Sequence, residues 1–122
     1  MLNVVLVNPE IPPNTGNIGR LCVAVGATLH LIKPLGFHID DKSLKRAGLD
    51  YWPKLELRVW ENFESYAETV DSSLVILTSS KRGNVYTEVD YREGDHILFG
   101  PETTGLGEDV YRMFPKRVAR IP

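Results

Sequence analysis

Asn14, Asn17 and Arg20 stand three residues apart in the segment Asn14-Thr15-Gly16-Asn17-Ile18-Gly19-Arg20. Residues at that spacing share one face of a helix, so two amides and a guanidinium converge there. If the helix opens at this point, its unpaired backbone N–H groups and its dipole add attraction for an anionic or oxygen-rich ligand. Asparagine is also among the best N-caps, so Asn14 or Asn17 can serve as a cap alone. Arg20, read as a first-turn residue, opposes the dipole and calls for a compensating partner. Near the other end of the chain lies Gly100-Pro101-Glu102-Thr103-Thr104-Gly105-Leu106. There Gly100 permits a close backbone approach, Pro101 stiffens the turn, and Glu102 offers a carboxylate. That carboxylate reads as a surface charge or as an ion-pair partner for Arg20.

Both segments follow strand-like apolar runs, Leu2-Asn3-Val4-Val5-Leu6-Val7 and Ile97-Leu98-Phe99. Further strands are expected at 28–32, 57–60, 73–78 and 118–121. Ile18, Leu21, Cys22 and Val25 fall at helical offsets and predict a stripe packed on the sheet, with Gly26 ending that helix. Asp41 is expected to cap a short helix through Lys42 to Arg46, and Asn62 another running to Val70. Strands alternating with helices over short connections predict an α/β domain with a mainly parallel sheet, one domain over residues 1–122. Ligands of such sheets bind outside the carboxyl ends of the strands, which places both polar loops at the expected site.

Composition removes several function classes. With 43% hydrophobic residues the chain can close a core, and its net charge of -2 is no footprint of a strongly basic nucleic-acid binder. Basic residues nevertheless cluster locally. Lys42, Lys45, Arg46, Lys54 and Arg58 form one group, Lys81 and Arg82 a second, and Arg112, Lys116, Arg117 and Arg120 a third. Each alone reads as a solvated face; together, in a dimer, they can line a groove. Cys22 is the single cysteine, no Cys/His spacing resembles a metal cage, and no apolar run is long enough to span a bilayer. These features predict no metal, no membrane and a cytoplasmic setting. Neither a G-x-x-x-x-G-K-[ST] loop nor a G-x-G-x-x-G fingerprint occurs, which disfavours nucleoside triphosphates and dinucleotides. His30 and His96 read as packing or edge residues and His38 as a loop residue.

Several blocks together resemble the SPOUT superfamily of knotted RNA methyltransferases, most closely its TrmL (YibK-like) tRNA ribose 2'-O-methyltransferases. They are Met1-Leu2-Asn3-Val4-Val5-Leu6, Pro9-Glu10-Ile11-Pro12-Pro13-Asn14-Thr15-Gly16-Asn17, Arg20-Leu21-Cys22, Leu35-Gly36-Phe37, Asp40-Asp41-Lys42, Ala47-Gly48-Leu49-Asp50-Tyr51, Phe99-Gly100-Pro101-Glu102-Thr103 and Arg120-Ile121-Pro122. The resemblance implies an S-adenosylmethionine-dependent enzyme. Its reaction would methylate the ribose 2'-hydroxyl of the wobble nucleotide, position 34, cytidine or modified uridine, of leucine tRNAs.

By the same resemblance Arg20 is the catalytic candidate, with Asn14, Asn17 and Glu102 in the family's first two motifs. Leu77 or Thr78, Gly100 and Ile121 match positions whose backbone holds the cofactor's adenosine. A homodimer and tRNA are the implied partners. Members continue past the Arg-Ile-Pro ending into a third motif and a final helix that forms the knot. The expectation is therefore a SPOUT fold whose knot-forming C-terminal segment is absent from these residues, in a fragment or in a truncated, inactive relative. The alternative function is a non-catalytic RNA-binding or adenosine-binding module of the same fold; a flavodoxin-like regulator fits the pattern but leaves Asn14, Asn17 and Arg20 without a joint role.

Overall fold

The computed structural model describes residues 1–39, 42, 46 and 51–122. Seven strands form one sheet: β1 (Asn3–Val7), β2 (Thr28–Ile32), β3 (Leu57–Trp60), β4 (Val75–Ser79), β5 (Asn84–Val85), β6 (His96–Phe99) and β7 (Val118–Arg120). Every pairing is parallel and the strand order is β3-β2-β1-β6-β4-β7-β5. Six of the strands lie where apolar runs predict them. The two-residue β5 does not, because so short an element has no periodicity to read. Among the described residues the helices given bounds are α1 (Pro12–Val25), α2 (Phe63–Ala67) and α3 (Glu108–Met113). The helix expected from Asp41 to Arg46 lies outside the described residues apart from Lys42 and Arg46.

Strand alternation divides the core in two. Val5 and Val7 face Tyr66, Leu77, Leu98, Val110 and Phe114 on the side covered by α2 and α3. Leu6 faces Cys22, Leu29 and Leu31 on the α1 side. Gly26 ends α1 in the left-handed region at φ 74°, as expected. Asn62 caps α2, its side chain accepting from Ser65 N–H at 2.8 Å, but that helix stops at Ala67 rather than Val70.

The face that α1 buries differs from the predicted stripe. Thr15, Gly16, Gly19 and Cys22 are its buried residues, whereas Leu21 and Val25 are 61% and 64% exposed. Periodicity identifies a stripe but not which side of it meets the sheet. Glycines at 16 and 19 let the backbone approach closely, and the helix turns that flat side inward.

Two polar devices tie down the interior. At the amino edge of the sheet, Arg117 grips the fully buried Asp95 through two bonds of 2.8 and 2.9 Å and also donates to Ser73 O and Asp90 O. Burial pushes the Asp95 carboxyl up, but bonds from Arg117 and from Arg92 N–H more than offset it and hold its pKa below the usual carboxylate value. One member of the third basic cluster is therefore spent on structure. The second device is an aromatic and imidazole layer. Trp60 Nε1 donates to His30 Nδ1 at 3.0 Å, so His30 Nε2 carries the proton and donates to Asn3 Oδ1 at 2.9 Å. The Tyr66 hydroxyl bonds His96 Nδ1 at 2.8 Å beside it.

Burial, then the neighbouring His96 and Arg58, lower the His30 pKa to about 4 from 6.5. The unfolded chain thus binds a proton that the folded chain refuses. Stability is complete above pH about 6.5 and declines as pH falls toward 4, by up to about 3 kcal/mol from this group. Urea titrations between pH 7 and pH 4.5 should show a falling midpoint; a flat profile would contradict the neutral, doubly bonded imidazole.

Candidate active site

β1 and β6 are neighbours, so the loops that leave their carboxyl ends emerge side by side. This is the point at which strand order reverses, with β2 and β3 built outward on one side and β4, β7 and β5 on the other. Asn8 turns the chain out of β1 in the left-handed region, φ 52°, a conformation asparagine tolerates well. Its amide secures the turn by donating to Ile32 O at 3.2 Å and Pro34 O at 3.3 Å.

The two loops then exchange carboxylates. Glu102 accepts from Glu10 N–H at 2.9 Å and from Ile11 N–H at 2.8 Å. Glu10 Oε1 in return accepts from Thr103 N–H at 3.0 Å and from the Thr103 hydroxyl at 2.8 Å. Those bonds, the backbone one foremost, lower the Glu10 pKa. Glu102 is therefore neither a loose surface charge nor an ion-pair partner of Arg20. It occupies the positive pole of α1, the position where an external anion was expected. Pro12 and Pro13 open that helix and lack N–H groups, and its N-cap is Ile11 with no side-chain cap bond, so neither asparagine is a cap.

Two cavities flank the clasp. The larger, about 590 Å³, is lined by Thr78 to Arg82, by Phe99 to Leu106, and by Glu108, Tyr111 and Ile121. The smaller, about 350 Å³, is lined by Leu6, Pro9, Asn14, Thr15, Asn17, Ile18, Phe99, Gly100 and Glu102. Phe99, Gly100 and Glu102 belong to both and form the wall between them. Gly100 is required by packing: a Cβ there would stand 2.2 Å from both Gly105 C and Leu106 N. Over the larger cavity, Arg82 lies 4.4 Å from the Tyr111 ring centroid and pairs with Glu108, while the Tyr111 hydroxyl donates to Thr78 O at 2.7 Å.

The sequence candidates thus divide. Thr78, Gly100, Glu102 and Ile121 meet at the larger cavity, and Asn14 and Asn17 join Gly100 and Glu102 at the smaller. Leu77 does not line either one; it is fully buried in the core. Arg20 lines neither cavity. Because α1 begins at Pro12, Arg20 is mid-helix rather than in the first turn, and the dipole argument for its partner does not apply. Its guanidinium instead lies over the Tyr51 ring, 4.9 Å from the centroid. His30 is buried and His96 half-buried in the aromatic and imidazole layer, and neither lines either cavity, so both are packing residues.

Sequence reasoning names Glu10 and Tyr51 only within the matching blocks and Arg82 only in a basic group, giving none of them a role at this site, and it misses Tyr111. A carboxylate between Pro9 and Ile11-Pro12-Pro13 was the one available hint, since an acid before a proline-initiated helix start often bonds backbone N–H groups. Replacing Glu102 with Ala should free the Glu10 and Ile11 amides and, by loosening the exchange, that of Thr103. Hydrogen–deuterium exchange at those amides should rise about tenfold or more while strand amides stay protected; unchanged rates would show that the clasp is dispensable.

Relatives of known type share this architecture. The SpoU rRNA Methylase family model matches residues 1–122. A tRNA (cytidine(34)-2'-O)-methyltransferase from Aeromonas hydrophila is 48% identical over 100% of the chain and 79% of its own length. The Escherichia coli K12 protein of the same designation is 42% identical over 100% of the chain and 78% of its own. A solved structure from work on the 2-OH methylation of C/U34 on tRNA superposes with a TM-score of 0.94 at 45% identity, covering 100% of the chain and 80% of that one. With a family match over every residue and a parallel sheet whose clasped loops bound two adjoining cavities, the chain belongs to the SpoU methylase family.

Proposed function

We propose that this chain transfers a methyl group from S-adenosylmethionine to the ribose 2'-hydroxyl of nucleotide 34 of tRNA, and that it does so as a homodimer. The observation that carries the reading is the clasped pair of loops, which sets a hydroxyl-rimmed cavity against one bearing two asparagines, with Gly100 and Glu102 between. Relatives 42% and 48% identical carry the designation tRNA (cytidine(34)-2'-O)-methyltransferase.

The larger cavity fits the cofactor by its chemistry. Phe99, Leu106 and Ile121 give apolar contact for a purine, the Gly100–Leu106 backbone offers polar edges, and Thr78, Ser79 and Ser80 supply hydroxyls for a ribose. Bound there, S-adenosylmethionine would supply a methyl already activated on a sulfonium and would leave as the neutral thioether S-adenosylhomocysteine as the ribose oxygen takes the methyl and its proton passes to solvent, so the protein's task is alignment. Asn14 and Asn17 present amides to a sugar in the neighbouring cavity. Glu102 keeps the two loops, and with them the two cavities, at a fixed separation.

Arg20 orients the acceptor hydroxyl or the adjoining phosphate. A guanidinium holds its proton too tightly to be a good proton acceptor but is a good fork-shaped donor. It acts across the dimer. Arg20 shares the exposed stripe of α1 with Asn17, Leu21 and Val25, so covering the two apolar residues with a second copy carries the guanidinium to the partner's surface. Pairing also joins two modest basic surfaces into one large enough for tRNA. No helix among the described residues is long and apolar enough to cross a membrane, and we place the enzyme in the cytoplasm with its tRNA. Leucine tRNAs bearing cytidine or modified uridine at position 34 are the proposed substrates.

Arg20→Ala should lower methyl incorporation into such tRNAs about a hundredfold while cofactor binding by calorimetry is unchanged. Wild-type incorporation in that variant would overturn the assignment. Light scattering should give twice the 13.7 kDa chain mass, and Leu21→Glu should yield a monomer without methyl transfer. An active monomer would refute the shared site.

A further inference from the structure

We infer that Tyr51 is the positioning residue for Arg20, acting as an aromatic platform that fixes the direction of the guanidinium; this rests on the role given to Arg20 above. The Arg20 Cζ lies 4.9 Å from the centroid of the Tyr51 ring. Among the described residues the ion pairs leave Arg20 without a carboxylate partner. The difference is chemical. A carboxylate binds the N–H edge of a guanidinium and consumes its donors, whereas a ring holds the cation by its face and leaves the donors at the edge for a ligand. An exposed arginine at the middle of a helix otherwise samples many rotamers, and each misdirected one costs alignment.

The platform is itself anchored. Tyr51 opens a closed turn in which Lys54 N–H donates to Tyr51 O at 2.9 Å and Leu55 N–H to Trp52 O at 3.1 Å, with Pro53 inside it. That turn seats on α1 at Gly19, the neighbour of Arg20. A Cβ on Gly19 would come within 3.3 Å of both the Trp52 ring and Leu55, so the missing side chain is what lets the turn approach. Gly19, Arg20 and Tyr51 thereby form one unit: the glycine admits the turn, the turn presents the ring, and the ring orients the cation.

The test compares Tyr51→Phe, Tyr51→Trp, Tyr51→Leu and Tyr51→Met in methyl transfer to tRNA. The aromatic variants should keep the wild-type rate. The aliphatic ones should lose kcat by roughly five- to twentyfold with the KM for S-adenosylmethionine and the thermal midpoint unchanged. In an Arg20→Ala background Tyr51→Leu should cost nothing further. A second readout is independent of activity: ring current should displace the Arg20 Nε–H proton resonance in the wild type, and Tyr51→Leu should abolish that displacement. Wild-type kcat in Tyr51→Leu, an equal loss in the Arg20→Ala background, failure of Tyr51→Phe, or an undisplaced resonance would overturn the inference. Wild-type kcat in Arg20→Ala would instead overturn the role of Arg20, a result the cycle separates from the others.

Discussion

The reciprocal bonding of Glu10 and Glu102 is the constraint on which the site depends. Two carboxylates this close would repel if they faced one another. Here each is directed at backbone N–H groups of the opposite loop, so both negative charges meet fixed positive dipoles. One of those acceptors also stands at the pole of α1, so the clasp closes the helix start as it joins the loops. Both cavities inherit their shape from it, because Gly100 and Glu102 belong to each. The sheet contributes the rest by placing the ends of β1 and β6 next to one another.

Much of this was legible in the chain. Six strands follow from apolar runs, the end of α1 from Gly26, and the cap of α2 from Asn62, because each signal is local. The loops were also legible as a pair, since topology alone brings the carboxyl ends of parallel strands together. Glu102 shows where that reasoning stops. Its partners lie more than ninety residues away in sequence, and no spacing rule links a side chain to the amides of a distant loop.

Arg20 and Leu21 show a second limit. Helical periodicity marks Ile18, Leu21, Cys22 and Val25 as one apolar set, yet the sheet takes Cys22 and leaves Leu21 and Val25 in solvent. When a helix carries apolar residues on both sides, periodicity offers no way to tell which of them its sheet will take. The helix α1 also starts ahead of Asn14, at Pro12. Pro12 and Pro13 favour the first helical positions, and giving them that weight removes Arg20 from the first turn.

The Arg117–Asp95 brace lies at the amino edge of the sheet, between the beginnings of β4, β6 and β7. The cavities open at the other edge. The brace and the two cavities thus lie on opposite rims of the molecule. Such a division lets the cavity-bearing loops change outside Gly100 and the Glu10–Glu102 clasp without undermining the foundation, and a scaffold partitioned in this way can accumulate new ligand preferences while its folding remains intact.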